Sequence, residues 1–589
     1  MPASATLAHW NLKELLPDPV DQAVESHLSM LETSVSELEA MRATLTPEIP
    51  EEAFEKILGA LESINATMRR LQAYSFLWFA QDTQNEAALN LRDRLDRSLI
   101  ELGNRFIFFE LWFKDLPEPS AQRLIASSGD VKYMLESIRR FKPYTLSEGE
   151  EKLLNLKDVN GIDALVNLYE MITNHFQFTL EVEGGKKTLT RDQLSGYFFN
   201  ASPDIRQSAY QELNRGYADN STILAQIYSH RVRDWHVEAV QLRGYASPIS
   251  ARNLGNDLPD EVVDTLLAVC RKNAGIFQRY FRLKAGWLGL KKLRRYDIYA
   301  PLTESDKKYD FAQAKEMVLE SFREFSPQVA GLAARVLDEN HLDSQARPGK
   351  RGGAFCYAAL PGLTPWVLVN FDGRPGDLAT LAHELGHAVH AMLAGNHSVM
   401  TFHASLPLAE TASVFAEMQL TQRLLSQEHD PAIRRDLLAH AVDDAYVTVL
   451  RQAFFTLFER EAHQMIVEGK SFDDVADAYM ANLVEQFGDS VELSDEFKWE
   501  WISIPHIYND PFYTYAYSFG QLLVLALYQQ YRLEGTAFIP KYLKILAYGG
   551  SAAPAKILQE AGLEIGTAAF WQAGFDVLDE MITELTHSA

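Results

Sequence analysis

Cysteine is scarce in this 589-residue chain, in which Cys270 and Cys356 are the only two. Two cysteines can form at most one disulfide, which excludes a fold that depends on a disulfide framework, as in many small secreted proteins. A cysteine content this low is typical of proteins that work in a reducing compartment. We therefore expect a cytoplasmic location.

Long apolar runs are absent as well. No run of about 18 apolar residues occurs, so the sequence predicts no membrane-spanning helix. Residues 1–18 lack a basic stretch followed by an apolar segment of about 7–15 residues, and we expect no signal peptide.

Positive charge is in deficit, because 55 Lys and Arg residues face 80 Asp and Glu residues and give a formal net charge of −25. Such a protein is repelled by nucleic-acid phosphates and by anionic lipid surfaces. We expect neither as a partner. Hydrophobic residues make up 47% and charged residues 23% of the chain, a balance that is typical of folded globular proteins. The composition does not indicate an oligomeric state.

The chain is too long for one hydrophobic core, so two lobes are expected. Residues 51–116 contain no proline and carry apolar residues at helical spacing, which predicts long antiparallel helices. Alternating apolar residues and a Gly-Gly pair predict a β-hairpin near residues 176–190. We predict an N-terminal helical lobe over residues 1–199 and a second domain over residues 200–589.

One apolar run, residues 366–370, lies between glycine-rich segments and predicts a strand. This strand precedes a segment of helical periodicity at residues 378–393. We therefore expect a small β-sheet beside that helix, with the strand offering an exposed edge to the backbone of an extended peptide. The remainder of the chain is helical in pattern. The predicted fold class is mainly α.

Two histidines and a glutamate form the clearest chemical signal. His383 and His387 are four residues apart, so they share one helix face and can both reach a single Zn²⁺ ion at about 2.0–2.1 Å. Glu384 is one position round the helix and can contact the nucleophilic water without ligating the metal. The alternative is that these are ordinary core or surface histidines. The preceding strand, the glycine turn and the apolar residues on the other helix faces disfavour it.

A catalytic zinc site needs a third protein ligand and one open position. Position 393 is leucine, which excludes the metzincin pattern with its third histidine there. Glu410 is an acid among small and apolar residues, a setting that is costly unless a cation neutralises it; the alternative is a solvated acid on a helix face. His390 is the rival ligand, but three ligands from one helix would strain a tetrahedral site, so we expect it beside the metal or facing substrate. Glu417 is the expected partner of a ligand imidazole.

These motifs resemble those of the oligoendopeptidase F family, in the same broader group as thimet oligopeptidase and neurolysin. The resemblance rests on residues 383–390 (HELGHAVH), residues 409–413 (AETAS) and the tyrosine-rich residues 506–517. It extends from about residue 202 to the C-terminus, while the first 200 residues agree mainly in helical character. An extra residue at 509–510, ahead of Pro511, departs from the family pattern. Further matching segments are residues 296–302, 349–355, 549–551 and 570–571.

The resemblance implies a zincin-type, two-lobed helical fold with a deep channel for short unstructured peptides. It implies one zinc ion per chain, held by His383, His387 and Glu410, in a catalytic domain of residues 200–589. It also implies a zinc-dependent oligoendopeptidase, a metalloendopeptidase that cleaves internal bonds of oligopeptide substrates, with Glu384 as the general base.

Three further residues are expected to stabilise the oxyanion that develops during hydrolysis: His506, Tyr513 and Tyr517. Their spacing of seven and four would place them on one face of a continuous helix. Pro511 argues against such a helix, and Tyr515 is a competitor. The alternative is that these aromatic residues belong to the core.

Two other functions stay open at this stage. One is a zinc carboxypeptidase on a similar scaffold, and the other is a non-catalytic peptide-binding relative. The intact Glu384 between both histidines disfavours the second. The same ligands also accept cobalt or manganese.

Overall fold

The computed structural model describes residues 9–18, 20–182, 184–302 and 308–587. Over these ranges the protein is mainly helical, as predicted, with three small sheets. Among the helices described, none combines the length and the apolar character that crossing a bilayer requires. Both cysteines are free thiols.

The α-helices account for most of the chain, and labels follow chain order. They are α1 (Val20–Ala40), α2 (Glu51–Gln81), α3 (Glu86–Phe106), α4 (Phe108–Asp115), α5 (Glu118–Ser127), α6 (Lys132–Arg140), α7 (Glu148–Asn160), α8 (Ile162–Asn174), α9 (Arg191–Ser195), α10 (Pro203–Ala218), α11 (Ser221–Trp235), α12 (Pro248–Gly255), α13 (Asp260–Lys272), α14 (Ala274–Trp287), α15 (Phe311–Phe325), α16 (Pro327–Asp338), α17 (Pro375–Leu393), α18 (Leu406–Ala409), α19 (Thr411–Gln427), α20 (Pro431–Ala445), α21 (Arg451–Val467), α22 (Phe472–Phe487), α23 (Pro505–Asn509), α24 (Tyr515–Glu534), α25 (Ile539–Ala547), α26 (Pro554–Glu560) and α27 (Ala568–His587). Two π-helical segments, His236–Leu242 and Tyr446–Leu450, follow α11 and α20.

The strands form two pairs and one three-stranded sheet. They are β1 (Phe178–Val182), β2 (Gly185–Leu189), β3 (Leu293–Arg294), β4 (Leu342–Gln345), β5 (Phe355–Tyr357), β6 (Trp366–Phe371) and β7 (Val491–Glu492). Strands β1 and β2 form an antiparallel hairpin within the segment predicted for one, and β3 pairs with β7 in parallel. In the third sheet the order is β4-β6-β5, with β6 parallel to β4 and antiparallel to β5.

Strand β6 lies at the centre of its sheet, so the expectation that the run 366–370 exposes an edge is wrong. Trp366, Val367 and Leu368 are completely buried, and both sides of the strand are paired. A continuous apolar run without alternation is typical of a strand covered on both faces. The edge of this sheet on the side of the antiparallel pairing is β5.

The contacts divide the chain into two compact units, each assembled from three segments. The first unit contains Met1–Pro143, Asp306–Gln427 and Gln530–Leu563. The second unit contains Tyr144–Ser305, Glu428–Gln529 and Glu564–Ala589. The predicted division at residue 199/200 is a division along the sequence and stays a prediction.

The core of the first unit joins its helices to its sheet. Helix α1 buries Leu31 and Val35, and α2 buries Leu71, at the spacings that place apolar side chains on one helix face. Trp366 and Leu368 of β6 belong to the same hydrophobic core. This shared core holds α2 and the three-stranded sheet together, and the sheet leads directly into α17.

In the second unit, buried ion pairs accompany the apolar core. Asp297 is completely buried and accepts hydrogen bonds from Arg206 (2.7 Å) and Arg294 (2.7 Å). Arg295, also buried, donates to Glu500 at 2.6 Å. Because a buried carboxylate needs a cationic partner, the matching segment 296–302 has a structural role at Asp297.

Candidate metal centre

Helix α17 carries the two histidines side by side. It begins with Pro375 at the first helical turn, and the carboxylate of Asp377 accepts from the backbone amide of Arg374, which completes the N-terminal cap. The apolar face of the helix is buried, which leaves His383 and His387 only partly covered. Their Nε2 atoms are 3.2 Å apart.

Glu410 reaches the same point from the junction between α18 and α19. Its Oε2 lies 3.3 Å from Nε2 of His383 and 3.4 Å from Nε2 of His387. Ser413 donates a hydrogen bond to this Oε2 at 2.7 Å and fixes the carboxylate from the next turn of α19. The three atoms therefore converge on one point.

The spacing of these three atoms fits a metal ion. A tetrahedral site with bonds of about 2.0–2.1 Å has ligand atoms about 3.3–3.4 Å apart, and the three observed separations are 3.2, 3.3 and 3.4 Å. Two imidazoles and one carboxylate leave a fourth position open, which is the arrangement of a catalytic rather than a structural site. The residues present fit a divalent transition-metal ion.

Gly386 allows the two ligand-bearing helices to approach. A Cβ at this position would lie 2.6 Å from the carbonyl oxygen of Ala412 and 2.7 Å from Cα of Ser413. Both are backbone atoms that cannot turn aside, so a side chain here would push α19 away from α17. Sequence reasoning noted the small residues around Glu410 and missed the glycine on α17.

Glu417 completes the hydrogen bonding of one ligand. Its carboxylate accepts a hydrogen bond from Nδ1 of His383. A proton held on Nδ1 leaves the lone pair of Nε2 free for a metal ion. Although burial opposes it, hydrogen bonds to Glu410 and Glu417 raise the pKa of His383 to about 10, so a metal ion must displace the proton on Nε2 when it binds.

Glu384 stands beside the ligands with an unused oxygen. The residue is only 6% exposed, and its Oε2 has no hydrogen-bond partner among the residues described. Burial raises the pKa of Glu384, while the positive charges of His383 and His387 act in the opposite direction. A carboxylate in this position can accept a proton from a neighbouring water and release it again.

His390, the rival ligand, is placed differently. It is 7% exposed, and burial together with the charge of His387 lowers its pKa to about 4, against a hydrogen bond to the backbone of Ala409. That hydrogen bond ties α17 to the residue just before Glu410. His390 is not among the three residues whose ligand atoms converge.

The metal-binding atoms line a cavity of about 420 Å³. Its other walls include Phe355 and Cys356 of β5, His390, and His403 in the loop before α18. The free edge of the sheet is thus next to the candidate metal centre. Sequence reasoning missed β5; the short aromatic segment after Gly353 was the available signal.

His506, Tyr513 and Tyr517 form a cluster in the second unit. Nε2 of His506 lies 3.2 Å from the hydroxyl of Tyr517, and the rings of Tyr513 and Tyr517 meet edge to face with centroids 5.3 Å apart. The competitor Tyr515 is completely buried, and its hydroxyl accepts from Asn256 at 2.8 Å. Tyr515 therefore belongs to the core.

A turn brings this cluster together, not a continuous helix. Helix α23 ends at Asn509 and α24 begins at Tyr515, with Phe512 between them at a φ of +60°. The amide of Phe512 donates to Glu459 at 2.9 Å. Glu459 is completely buried, and burial raises its pKa to about 8. No local pattern in the sequence points to this residue.

Two family models and several curated proteins match this chain. The model of peptidase family M3 matches residues 199–577, and a model described as oligopeptidase F matches residues 112–178. Oligopeptidase PepF of Bacillus subtilis is 25% identical over 587 residues, which is 98% of this chain and 86% of that protein.

Two solved structures share the fold. A crystal structure from Chlamydophila abortus superimposes with a TM-score of 0.88 at 23% identity, covering 99% of this chain and 98% of the other. The oligoendopeptidase-F of Enterococcus faecium superimposes with a TM-score of 0.71 at 23% identity, covering 96% and 99%.

Proposed function

This chain belongs to peptidase family M3, and we propose that it is a metalloendopeptidase that hydrolyses internal bonds of short, unstructured oligopeptides. One observation carries the proposal: three ligand atoms converge within 3.2–3.4 Å of one another beside the unpaired Oε2 of Glu384. The names of the relatives, oligopeptidase and oligoendopeptidase, support the class of substrate.

The proposed metal is zinc, one ion per chain, held by His383, His387 and Glu410. Two imidazoles and a carboxylate with an open fourth position are the usual donor set of hydrolytic zinc sites. When bound, the ion would lower the pKa of a water molecule toward about 7 and polarise the carbonyl of the bond to be cut. Glu417 would keep His383 in the ligating tautomer.

Glu384 is the proposed general base. Its Oε2, which has no hydrogen-bond partner among the residues described, would take the proton of the attacking water and then deliver it to the departing amine. Burial raises the pKa of this carboxyl, which strengthens its hold on the proton between the two halves of the transfer. General acid–base help of this kind is worth about 10²–10⁴-fold in rate.

Strand β5 is the proposed backbone partner of the substrate. It is the edge of its sheet and lines the same cavity as the metal ligands. An extended peptide can add to such an edge through main-chain hydrogen bonds, which only an unfolded segment has available. The proposed preference for unstructured oligopeptides follows from this requirement.

His506, Tyr513 and Tyr517 are the proposed donors to the developing oxyanion. Two hydroxyls and one imidazole gathered by a single turn could supply hydrogen bonds to a negative oxygen. Burial lowers the pKa of His506, so the ring is neutral and can donate through one nitrogen. The three residues lie within the tyrosine-rich segment 506–517, which is one of the segments that carry the family resemblance.

An internally quenched peptide blocked at both ends tests the function. The zinc-loaded protein should cut it at an internal bond, and Glu384→Gln should keep its zinc but lose at least about 10²-fold in kcat. A carboxypeptidase would cut only the version with a free C-terminus, and a binding protein would cut neither. The cytoplasmic location and the exclusion of nucleic-acid and membrane partners stay predictions from composition.

A further inference from the structure

A second cavity, of about 550 Å³, adjoins the metal cavity in the first unit. The two cavities share Cys356, Ala358 and His403 as wall residues. The far wall of the second cavity is helix α2, which contributes Asn65, Arg69 and Gln72. A peptide that follows β5 away from the metal centre would enter this space.

The wall formed by α2 presents polar side chains in register. Residues 65, 69 and 72 are four and three positions apart, so they project from one face of the helix. One turn further along, the Phe76 ring packs on Phe355 and Tyr357 of β5, with centroids 5.2 and 5.1 Å apart. These contacts hold the polar face of α2 beside the edge strand.

Arg69 is the unusual member of this wall. It is half-buried, yet it has no hydrogen-bond or ion-pair partner among the residues described. The adjacent Arg70 differs, because its Nη1 donates to the carbonyl oxygens of Glu14 (2.8 Å) and Leu15 (3.1 Å). Arginine side chains that are partly buried are usually paired with an acid, and this chain contains 80 acidic side chains that could have served.

The charge of Arg69 acts on the space in front of it. Burial and the positive charge of Arg69 lower the pKa of His403, at the boundary of the two cavities, to about 4. Burial also lowers the pKa of Arg69 itself, and only the Tyr357 hydroxyl is recorded as acting in the opposite direction among the residues described. A partly desolvated cation without a counter-ion gains most from an incoming anion.

We propose that Arg69 binds a carboxylate of the substrate peptide and so sets a specificity site next to the catalytic cavity. The planar guanidinium can bind a carboxylate through two parallel hydrogen bonds, and the amide groups of Asn65 and Gln72 lie on the same wall to assist. The carboxylate comes either from an Asp or Glu side chain or from the C-terminus of the peptide. This inference rests on the proposed peptidase function, because the peptide must lie along β5.

Peptide binding to the zinc-loaded Glu384→Gln protein tests the inference without turnover. Fluorescein-labelled peptides of one sequence are compared by fluorescence anisotropy in three forms. The first has an amidated C-terminus and one Glu, which is moved through each position in turn. The second, neutral form has Gln at the same positions and an amidated C-terminus, and the third has Gln at these positions and a free C-terminus. We expect one carboxylate-bearing form to bind about tenfold tighter than the neutral form. Which form does so identifies the source of the carboxylate.

Second-site variants then assign the effect. Arg69→Gln should remove the advantage of the carboxylate form, and Arg69→Lys should restore part of it, because lysine supplies the charge without the two-pronged geometry. Arg97→Gln is the matched control for loss of one charge, since Arg97 is exposed on α3 and donates to the carbonyl of Asp93. An advantage that survives in Arg69→Gln, or no advantage in any form, would overturn the inference.

Failure of the inference and failure of the proposed function give different results. Turnover of the neutral, amidated peptide by the wild-type protein tests the function alone. Turnover without Arg69-dependent binding would overturn the carboxylate site and leave the peptidase standing. Arg69-dependent binding without turnover would overturn the peptidase function and leave the carboxylate site standing.

Discussion

Gly386 on α17 and Ala412 on α19 touch so closely that a Cβ on the glycine would lie 2.6 Å from the carbonyl oxygen of Ala412. This contact sets the distance between the helix that carries His383 and His387 and the segment that carries Glu410. The metal centre therefore depends on a residue that has no side chain and takes no part in the chemistry.

Replacement of Gly386 by alanine should weaken the metal site. Forcing a methyl group against backbone atoms typically costs about 1–3 kcal/mol of stability and shifts the helices apart. We expect a higher dissociation constant for zinc, measured by competition with a chromophoric chelator, and a lower Tm. Gly376→Ala is the control on the same helix, because a Cβ there meets nothing within 4 Å. Equal zinc affinity in the two variants would contradict the role of Gly386.

Replacement of Glu417 should lower zinc affinity although this residue does not ligate the metal. Loss of the acceptor for Nδ1 of His383 lets the imidazole rotate and change tautomer, which in comparable sites costs about 10–100-fold in affinity. Glu417→Ala is measured against Glu52→Gln, a control for loss of one acidic charge at an exposed residue of α2. Unchanged zinc affinity in Glu417→Ala would show that the hydrogen bond has no such role.

Phenylalanine variants of Tyr517 and Tyr515 should distinguish a role in catalysis from a role in core packing. Tyr517→Phe removes one proposed oxyanion donor, so kcat should fall by about 10²–10³-fold with little change in Tm. Tyr515→Phe removes the hydrogen bond from Asn256 in the core, so it should lower Tm and leave kcat near the wild-type value. Steady-state kinetics and thermal melts on both variants check this. The reverse pattern would show that Tyr515, and not Tyr517, has the catalytic role.

Glu459 should make the protein less stable as pH rises. Its folded-state pKa, raised by burial to about 8, lies above the value of about 4.3 for an unfolded glutamate. Between these values the folded protein holds the extra proton, so the free energy of unfolding falls as pH increases. Glu459→Gln keeps an acceptor for the amide of Phe512 but cannot ionise. Its Tm relative to wild type should therefore rise from pH 5 to pH 8, and a constant difference would contradict the assignment.

Local geometry explains what could be predicted from the sequence. Helical spacing alone places His383 beside His387, and the cost of a bare carboxylate among apolar residues points to Glu410. The mainly helical fold and the small sheet next to the metal helix follow from periodicity in the same way. Each of these inferences uses either residues that are close together in the sequence or a single side chain whose charge requires a partner.

Distant pairings explain what could not be predicted. Which strand forms the sheet edge depends on β4 and β5 both pairing with β6, so the run 366–370 gave the wrong edge. The cluster of His506, Tyr513 and Tyr517 depends on a positive φ at Phe512 that a buried residue of α21, Glu459, supports. Arg69 lines a cavity with residues hundreds of positions away along the chain. No local pattern encodes such contacts.

The most direct test is the anomalous signal at the zinc absorption edge from crystals of the zinc-loaded protein. The account predicts one strong peak in each chain, about 2.0–2.1 Å from Nε2 of His383, Nε2 of His387 and an oxygen of Glu410. A peak at other residues, or full peptidase activity in crystals that show no peak at these three, would contradict it.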